Sequence, residues 1–474
     1  MQQRSFFRYF MGLALPVILQ QLLAHLLAMS DTIMLGAFSE DAISAVSVAN
    51  KYFFIYNLVI FGLSNGVGLF ISQYHGALQK ENENRTLRFG LRLCVYTAII
   101  FMVILLVFPS FIMSMFVKNE VLIRLGNVYN GIVVFSYLPY ALAQMMGVGY
   151  RVIAQPRIPM YAGCLSFLLN IALNYALIFG HFGFPSLGVA GAGIATLCSR
   201  IVEALFLCAV ALRKESEFYL LTAYTRFSLR EKYKIAQRAI PLVCNEFIWS
   251  LGLSLIFMNY CAVDERYIPA LTVVDTIASM IYVAFSGCSA VTGVVIGNDL
   301  GAGKLKQAKL DAKKMIRIGL SIYIVGCALI LCTSPIAPFL FSLQGESRHM
   351  AMQLLMIKAC ITWTQGYSET IYYILRAGGD TRSVLCIDGL FTCFGPLLLS
   401  TLCARVLHIP MLWMFAIVEG SSIFKIFIAT WFYRKETWLK NLTERKHDLH
   451  ETRNITEKKS TSCLLYTSPS PRDT

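Results

Sequence analysis

The chain has 474 residues, of which 57% are hydrophobic and only 14% are charged. Soluble domains have about 45–50% apolar and about 25% charged residues, so this composition excludes an ordinary soluble protein. The apolar residues recur in stretches of about 20 or more, the length that a helix needs to cross about 30 Å of hydrocarbon. A β-barrel would instead alternate apolar and polar residues in segments of about 10 residues. We therefore predict an all-α polytopic membrane protein.

The net charge is +14, which in a soluble protein would suggest a nucleic-acid partner. Here the basic residues cluster in alternate loops, near residues 80–92, 213–238 and 304–317, and the intervening loops carry few. This distribution is the positive-inside bias of membrane proteins. It predicts a multi-pass protein of the cytoplasmic (inner) membrane, with both termini in the cytoplasm, a lipid bilayer around it and no nucleic-acid partner.

The apolar stretches, taken in chain order, predict about twelve transmembrane helices. The first six predicted spans are 8–36, 43–75, 87–116, 121–148, 160–181 and 189–212. The next six are 232–260, 268–298, 309–340, 350–376, 384–406 and 411–433. Between the two sets lies a polar, basic stretch in which Ser228 is the predicted N-cap of a short surface helix at 227–232.

The chain is thus expected to divide into two six-helix lobes joined by a linker. The lobes cover 1–212 and 232–434, and the linker at 213–231 is expected on the cytoplasmic face. A polar tail follows at 435–474, and its last residues, 463–474, resemble the translation of a sequencing-library adapter. We expect that end segment to be an artefact and exclude it from reasoning about the fold.

The two predicted lobes repeat each other at a fixed spacing. Pro16 recurs as Pro241, a spacing of 241 − 16 = 225 residues, and the pair Gln20-Gln21 is echoed by Asn245-Glu246. At the same spacing the chain repeats glycines and arginines: Gly62 and Gly287, Gly68 and Gly293, Gly76 and Gly301, Arg151 and Arg376, Arg157 and Arg382. A duplicated membrane domain is typical of transporters, whose substrate site lies where the repeats meet. The repeated glycines indicate either close helix packing or hinges.

Ionisable residues at membrane depth are the first candidates for a site, because they are costly there and usually mark ion or substrate paths. Asp31 lies in the first span, Asn170 and Asn174 lie one turn apart in the fifth, and Thr196 adds a hydroxyl in the sixth. A carboxylate surrounded by such oxygens can exchange a proton or bind Na⁺. The alternative is a polar network that only fixes helix packing.

A second set of polar and aromatic residues is a candidate for the wall of a substrate cavity. Its members are Gln20, Gln21, Tyr140, Asn245, Glu246, Trp249, Tyr282 and Glu369. Ring faces suit a cationic ligand, although packing and lipid-facing positions explain most aromatic residues in such a chain. A phosphate-loop motif is not present, because Gly301-Ala302-Gly303-Lys304 lacks its first glycine and its Ser/Thr. No cofactor is therefore expected, and transport must draw on a gradient of Na⁺ or H⁺.

Several segments resemble the multidrug and toxic compound extrusion (MATE) transporters. They are the first span from Pro16 to Asp31-Thr32-Ile33-Met34-Leu35-Gly36, the pair Asn170 and Asn174, and the segment Arg376-Ala377-Gly378-Gly379-Asp380-Thr381-Arg382. The resemblance covers about residues 1–440 and implies two six-helix lobes around a V-shaped cavity. It also implies export of organic cations, dyes and drugs by antiport with Na⁺ or H⁺. The family's first-span carboxylate corresponds to Asp31.

We therefore expect a secondary active exporter of organic cations, drugs or toxic metabolites that works by alternating access as a monomer. A flippase for a lipid-linked sugar or another anionic lipid is the alternative, and it requires a cationic cavity. The acids Asp31, Glu246 and Glu369 argue against that alternative. An enzyme is not expected, because the seven histidines are scattered and form no metal-binding or catalytic motif.

Overall fold

The computed structural model describes residues 3–213, 218, 227–340 and 345–443. These ranges contain helices and turns but no strand, as the composition predicts. The long helices are α1 (Gln3–Phe38), α2 (Glu40–Gly76), α3 (Lys80–Val107), α4 (Glu120–Val152), α5 (Arg157–Phe179), α6 (Val189–Ala211), α7 (Leu229–Val263), α8 (Ile268–Gly301), α9 (Leu305–Thr333), α10 (Gly345–Ala377), α11 (Thr381–Arg405) and α12 (Met411–Arg434). In the described part of the chain, 11 helices are long and apolar enough to cross a membrane.

The exception among the long helices is α10, which has 33 residues but is too polar to meet that criterion. Two of its charged side chains are largely buried against α12, where Lys358 pairs with Glu419 and Glu369 pairs with Lys425. A polar helix is stable at membrane depth when its charges face partners inside the protein. The prediction of about twelve spans in two lobes is therefore consistent with the structure.

The helices pack into two lobes that contact each other through few elements. In the N-terminal lobe α1 and α6 pack on α5, and α3 packs on α2; in the C-terminal lobe α9 and α8 pack on α10. Contacts between the lobes come mainly from α1 with α8, α2 with α7 and α2 with α8. The cleft between the lobes is therefore bounded by α1, α2, α7 and α8.

Two of the three repeated glycine pairs lie where helices of opposite lobes pack backbone against backbone, and Gly62 and Gly287 form one of these pairs. A Cβ atom added to Gly62 of α2 would lie 2.7 Å from the Cα atom of Val243 on α7. At the repeated position, a Cβ atom on Gly287 of α8 would lie 2.9 Å from the carbonyl oxygen of Ala14 on α1. Real Cβ atoms do not come so close to backbone, so both contacts require glycine. Close packing between lobes is thus the structural role of this repeated pair.

One end of the cleft is closed by turns and by a segment that follows α12. At this end, which we call the closed end, lie the turns at 77–79, 302–304 and 378–380. Gln73 of α2 donates a hydrogen bond to the carbonyl oxygen of Ala377 (3.1 Å) and accepts one from the backbone N–H of Leu442 (2.7 Å). Trp438 is 1% exposed, packed over Gly378. Gln73 thereby links α2 of the N-terminal lobe to the end of α10 and to the segment after α12.

Two predictions about the segments outside the spans differ from the structure. Ser228 is an N-cap, and it forms a capping box with Glu231, but the helix that it begins is α7 itself rather than a separate surface helix. The predicted polar tail begins with the packed residues 435–443. The adapter-like residues 463–474 and most of the predicted linker lie outside the described residues.

We predict that Gly62→Ala lowers the free energy of unfolding by about 1–3 kcal/mol, because the added methyl group overlaps the backbone of α7. Gly293→Ala is the matched control, since a Cβ atom there meets nothing within 4 Å. In that open position alanine is the better helix former, so the control should keep or slightly raise stability. Thermal unfolding in detergent measures both variants, and equal stability of the two would contradict the close-packing role.

Candidate functional site

A chain of polar contacts connects the predicted coupling residues inside the N-terminal lobe. Asn174 Nδ2 donates to Asp31 Oδ1 (2.5 Å) and to Asn170 Oδ1 (2.8 Å). Asn170 in turn donates to the hydroxyl of Ser199 on α6 (3.5 Å). Both asparagines are fully buried. The structure therefore brings Asp31 of α1 together with α5, as the spacing of the polar residues predicts.

Asp31 and Thr196 line one cavity of about 250 Å³ in this lobe. Tyr129 and Arg200 line the same cavity. The Oδ1 atom of Asn174 is buried and has no hydrogen-bond partner in the described part of the chain. Carboxylate, amide and hydroxyl oxygens of this kind are the ligands that hard cations prefer. The residues present therefore fit either Na⁺ or a proton on Asp31.

A second cavity of about 450 Å³, which we call the central cavity, lies between the lobes near the closed end. Its wall includes four of the predicted residues, Gln20, Gln21, Tyr140 and Tyr282. Tyr140 donates a hydrogen bond to Asn57 and stacks under the guanidinium of Arg200 at 5.0 Å. The volume is within the range of small-molecule sites.

The charged residues in the wall of the central cavity are mostly basic. Arg151, Arg200 and Arg376 line it, and Glu203 is the acidic residue among its lining side chains. Arg200 pairs with Glu203 at 2.9 Å, three residues further along α6. The sequence marked Arg151 and Arg376 only as repeated residues, and their position in one cavity follows from the packing of the two lobes.

The C-terminal lobe holds a network of buried charges away from that cavity. The Nζ atom of Lys425 lies 2.9 Å from Glu369 Oε1 and 2.9 Å from Asp388 Oδ1. Asn245 donates to Asp388 Oδ2 (3.1 Å) and accepts from the backbone N–H of Gly389 (2.9 Å). Asp388 lies in one of two π-helical turns of α11. Such turns are common at functional sites, and here the turn brings Asp388 to Lys425.

Glu246 belongs to the same region but has weaker partners. Its Oε1 atom lies 3.8 Å from Nη1 of Arg376 and accepts a hydrogen bond from Tyr372 (3.3 Å). Nη2 of Arg376 is buried and has no hydrogen-bond partner in the described residues. The Arg376 guanidinium is therefore only partly satisfied by the protein.

The structure thus separates the predicted residues into three groups. The coupling candidates meet at the cavity around Asp31, and Gln20, Gln21, Tyr140 and Tyr282 meet at the central cavity. Asn245, Glu246, Trp249 and Glu369 are not among the side chains that line the central cavity. The two acids, Glu246 and Glu369, stay outside that wall because Arg376 and Lys425 hold them inside the helix bundle. The charge argument against a cationic cavity therefore does not hold.

Comparisons with known proteins agree with this architecture. The sequence profile of the MatE family matches residues 16–176 and 241–414, one segment in each lobe. A probable multidrug resistance protein NorM from Haemophilus ducreyi is 23% identical over 397 residues, covering 82% of this chain and 86% of that protein. One from Thermotoga maritima is 30% identical over 254 residues, covering 52% and 53%. A crystal structure of MATE in the bent conformation has a TM-score of 0.82 and 18% identity over 91% of this chain and 96% of that one.

We predict that Lys425→Met lowers the free energy of unfolding by about 3–5 kcal/mol, because it leaves Glu369 and Asp388 buried without their cation. Lys51→Met, at an exposed position of α2, is the control and should change stability little. Adding Glu369→Gln and Asp388→Asn to Lys425→Met should restore most of the loss. Thermal unfolding of the purified variants measures all of them, and a Lys425→Met variant as stable as the control would contradict the network.

Proposed function

Because the chain belongs to the MatE family of membrane transporters, we propose that it exports lipophilic drugs or toxic metabolites by antiport with Na⁺ or H⁺. It is a multi-pass membrane protein and not an enzyme. Similar proteins carry the name multidrug resistance protein, which supports small-molecule efflux. The proposal includes no cofactor other than the coupling ion.

The observation that carries the proposal is the contact of Asp31 with Asn174 beside a cavity in the N-terminal lobe. A coupling cation binds the Asp31 carboxylate. The further oxygens that we assign to the site are the unpartnered Oδ1 of Asn174, whose Nδ2 contacts Asp31, and the hydroxyl of Thr196 in the same cavity. A cation on the Asp31 carboxylate would replace the hydrogen bond that Nδ2 of Asn174 donates to it. That hydrogen bond joins α1 to α5, so ion binding changes the contact between these two helices. Ion binding can therefore bias the conformation of α1.

The lobe contacts support alternating access as the transport mechanism. The lobes meet through α1, α2, α7 and α8, and their closest backbone contacts lie toward the closed end. The basic residues Lys80 and Lys304 flank the turns of that end, and the positive-inside bias assigns them to the cytoplasm. In this orientation the cavity opens away from the cytoplasm, and rocking of the lobes about these contacts would open the other side.

We further propose the location and the oligomeric state that the sequence leads us to expect. Both termini lie in the cytoplasm, the protein resides in the cytoplasmic membrane and a monomer is the transporting unit. Substrate enters the central cavity from the cytoplasm or the inner leaflet. A cationic substrate would meet three arginines and one glutamate in the wall of that cavity, which disfavours the expected organic cations.

A flippase for an anionic lipid is the second candidate function. The three arginines of the central cavity favour it, because a lipid phosphate would find hydrogen-bond donors there. The candidate differs from the exporter in its substrate, which would stay in the membrane throughout.

We predict that Asp31→Asn folds normally but loses ion-driven export by about tenfold or more, because a neutral amide cannot bind the coupling cation. The measurement is efflux of a fluorescent amphiphile from proteoliposomes, with Na⁺ and pH gradients imposed separately. One gradient that drives efflux alone identifies the ion.

Asp41→Asn, at an exposed position near the start of α2, is the matched control and should transport as the parent protein does. Normal gradient-driven efflux by Asp31→Asn would exclude this carboxylate as the coupling site. Equal unfolding temperatures of the two variants would rule out misfolding as the cause of lost transport.

A further inference from the structure

We propose that the central cavity binds an organic anion, a carboxylate or phosphate attached to an apolar body, through the repeated arginines Arg151 and Arg376. The inference names the substrate class of the proposed transporter and so rests on the central cavity being the transport path. It reverses the substrate charge expected from the acidic residues of the sequence.

The first argument is the unfilled bonding capacity of Arg376. Its side chain is 8% exposed, and Nη2 has no hydrogen-bond partner in the described residues. Nη1 has the Tyr372 hydroxyl at 3.4 Å and Glu246 Oε1 at the long distance of 3.8 Å. A buried guanidinium with an unsatisfied N–H group is costly unless a further acceptor completes it. Arg376 lines the central cavity, so a small shift of its guanidinium toward a ligand there would give the buried Nη2 that acceptor.

The second argument is the position of Arg151, 225 residues before Arg376 (376 − 151 = 225) and in the wall of the same cavity. Its Nη1 atom donates to the neutral side chain of Gln20 (3.2 Å), and Glu203, the acid of the same cavity wall, pairs with Arg200 instead. Each lobe therefore contributes one arginine to a single cavity. A guanidinium group binds a carboxylate or a phosphate through two parallel hydrogen bonds. Two guanidinium groups that face one cavity can bind the same anion together.

The third argument is the internal pairing of the acids that could attract a cation. Glu203 is held by Arg200 at 2.9 Å, and Glu369 is held by Lys425 at 2.9 Å. Asp31 lines a different cavity. With Glu246 beside Arg376 also counted, three arginines face two acids, so the charge left over in the central cavity is positive. A cleft of one sign in a medium of low dielectric concentrates ligands of the opposite sign.

The rest of the wall suits the apolar part of such a ligand. Phe61, Tyr140, Tyr282 and Tyr373 provide aromatic surface, and about 450 Å³ accommodates a small amphiphile.

An anionic substrate also changes the charge that the transport cycle moves across the membrane. One anion leaving in exchange for one entering cation moves two charges across the membrane, whereas a cation leaving in that exchange moves none.

The test uses the purified full chain in lipid nanodiscs and measures binding of carboxyfluorescein, an anionic dye, and rhodamine 6G, a cationic dye, by fluorescence anisotropy. We expect tighter binding of the anion and a loss of about tenfold or more in each of Arg151→Gln and Arg376→Gln, because each removes charge-assisted hydrogen bonds. Arg157→Gln and Arg382→Gln are matched controls from the exposed pair of repeated arginines and should bind as the parent does.

Two further variants guard against misfolding as the explanation. Arg151→Lys and Arg376→Lys keep the charge but lose the paired donors, and we expect them to bind more weakly than the parent and more tightly than the Gln variants. Tighter binding of rhodamine 6G than of carboxyfluorescein, or equal affinities in the Gln variants and the controls, would overturn the inference.

The source of the anion is distinguished by a lipid arm, in which proteoliposomes contain phosphatidylglycerol with a fluorescent acyl chain. Accelerated flipping of that lipid, abolished in Arg376→Gln, identifies a lipid phosphate as the ligand. Binding of carboxyfluorescein through the arginines, without accelerated flipping of that lipid, identifies a soluble anion.

Failure of the transport proposal would look different from failure of this inference. If carboxyfluorescein binds through both arginines but neither ion gradient drives its efflux, the antiporter proposal fails and the anion site stands. If rhodamine 6G alone is exported by a gradient, the antiporter proposal stands and the anion site is excluded.

Discussion

Charges inside this protein must find their partners within the helix bundle, because hydrocarbon offers none. Lys425 meets this requirement by bridging Glu369 and Asp388 at 2.9 Å each, and Lys358 does so by pairing with Glu419 at 2.7 Å. These pairs join α10 to α11 and α12, and they allow a helix as polar as α10 to lie inside the C-terminal lobe. The same requirement makes the exceptions informative, since the Arg376 guanidinium and Asp31 are less completely paired.

The two lobes meet this requirement with different residues at repeated positions. Arg200 and Lys425 are 225 residues apart (425 − 200 = 225), and each holds an acid of its own lobe. Asp31 has no acidic counterpart, because position 256 is Ile256. The N-terminal lobe therefore keeps a carboxylate beside neutral amides, where a cation can bind, while the C-terminal lobe neutralises its acids with lysine and arginine. Such asymmetry suits a transporter that couples an ion in one lobe to a substrate between the two.

Close contact between lobes is the other constraint on a cycle of this kind. Gly62 and Gly287 bring backbone against backbone, and Gln73 adds polar contacts to Ala377 and Leu442. The glycine contacts include no hydrogen bond between the lobes, so they can separate without leaving a hydrogen-bond partner behind. The Gln73 contacts lie at the closed end, where the backbone groups of Ala377 and Leu442 would need water or other partners when the lobes separate.

The sequence by itself determined the membrane class, the approximate positions of the spans and the repeat, and it marked Asp31, Asn170 and Asn174 as polar residues of one candidate site. Those features depend on local composition and on spacing along one helix, which the order of residues fixes directly. The tertiary structure decided which charges meet. The sequence indicated Glu246 and Glu369 as acids of the cavity wall, whereas Arg376 and Lys425 on other helices hold them. In the sequence, Arg151 and Arg376 are marked only as repeated residues. They line one cavity because the two lobes pack against each other through α1, α2, α7 and α8. Such partners come from distant parts of the chain, so the sign of the charge in the central cavity depends on how the helices assemble.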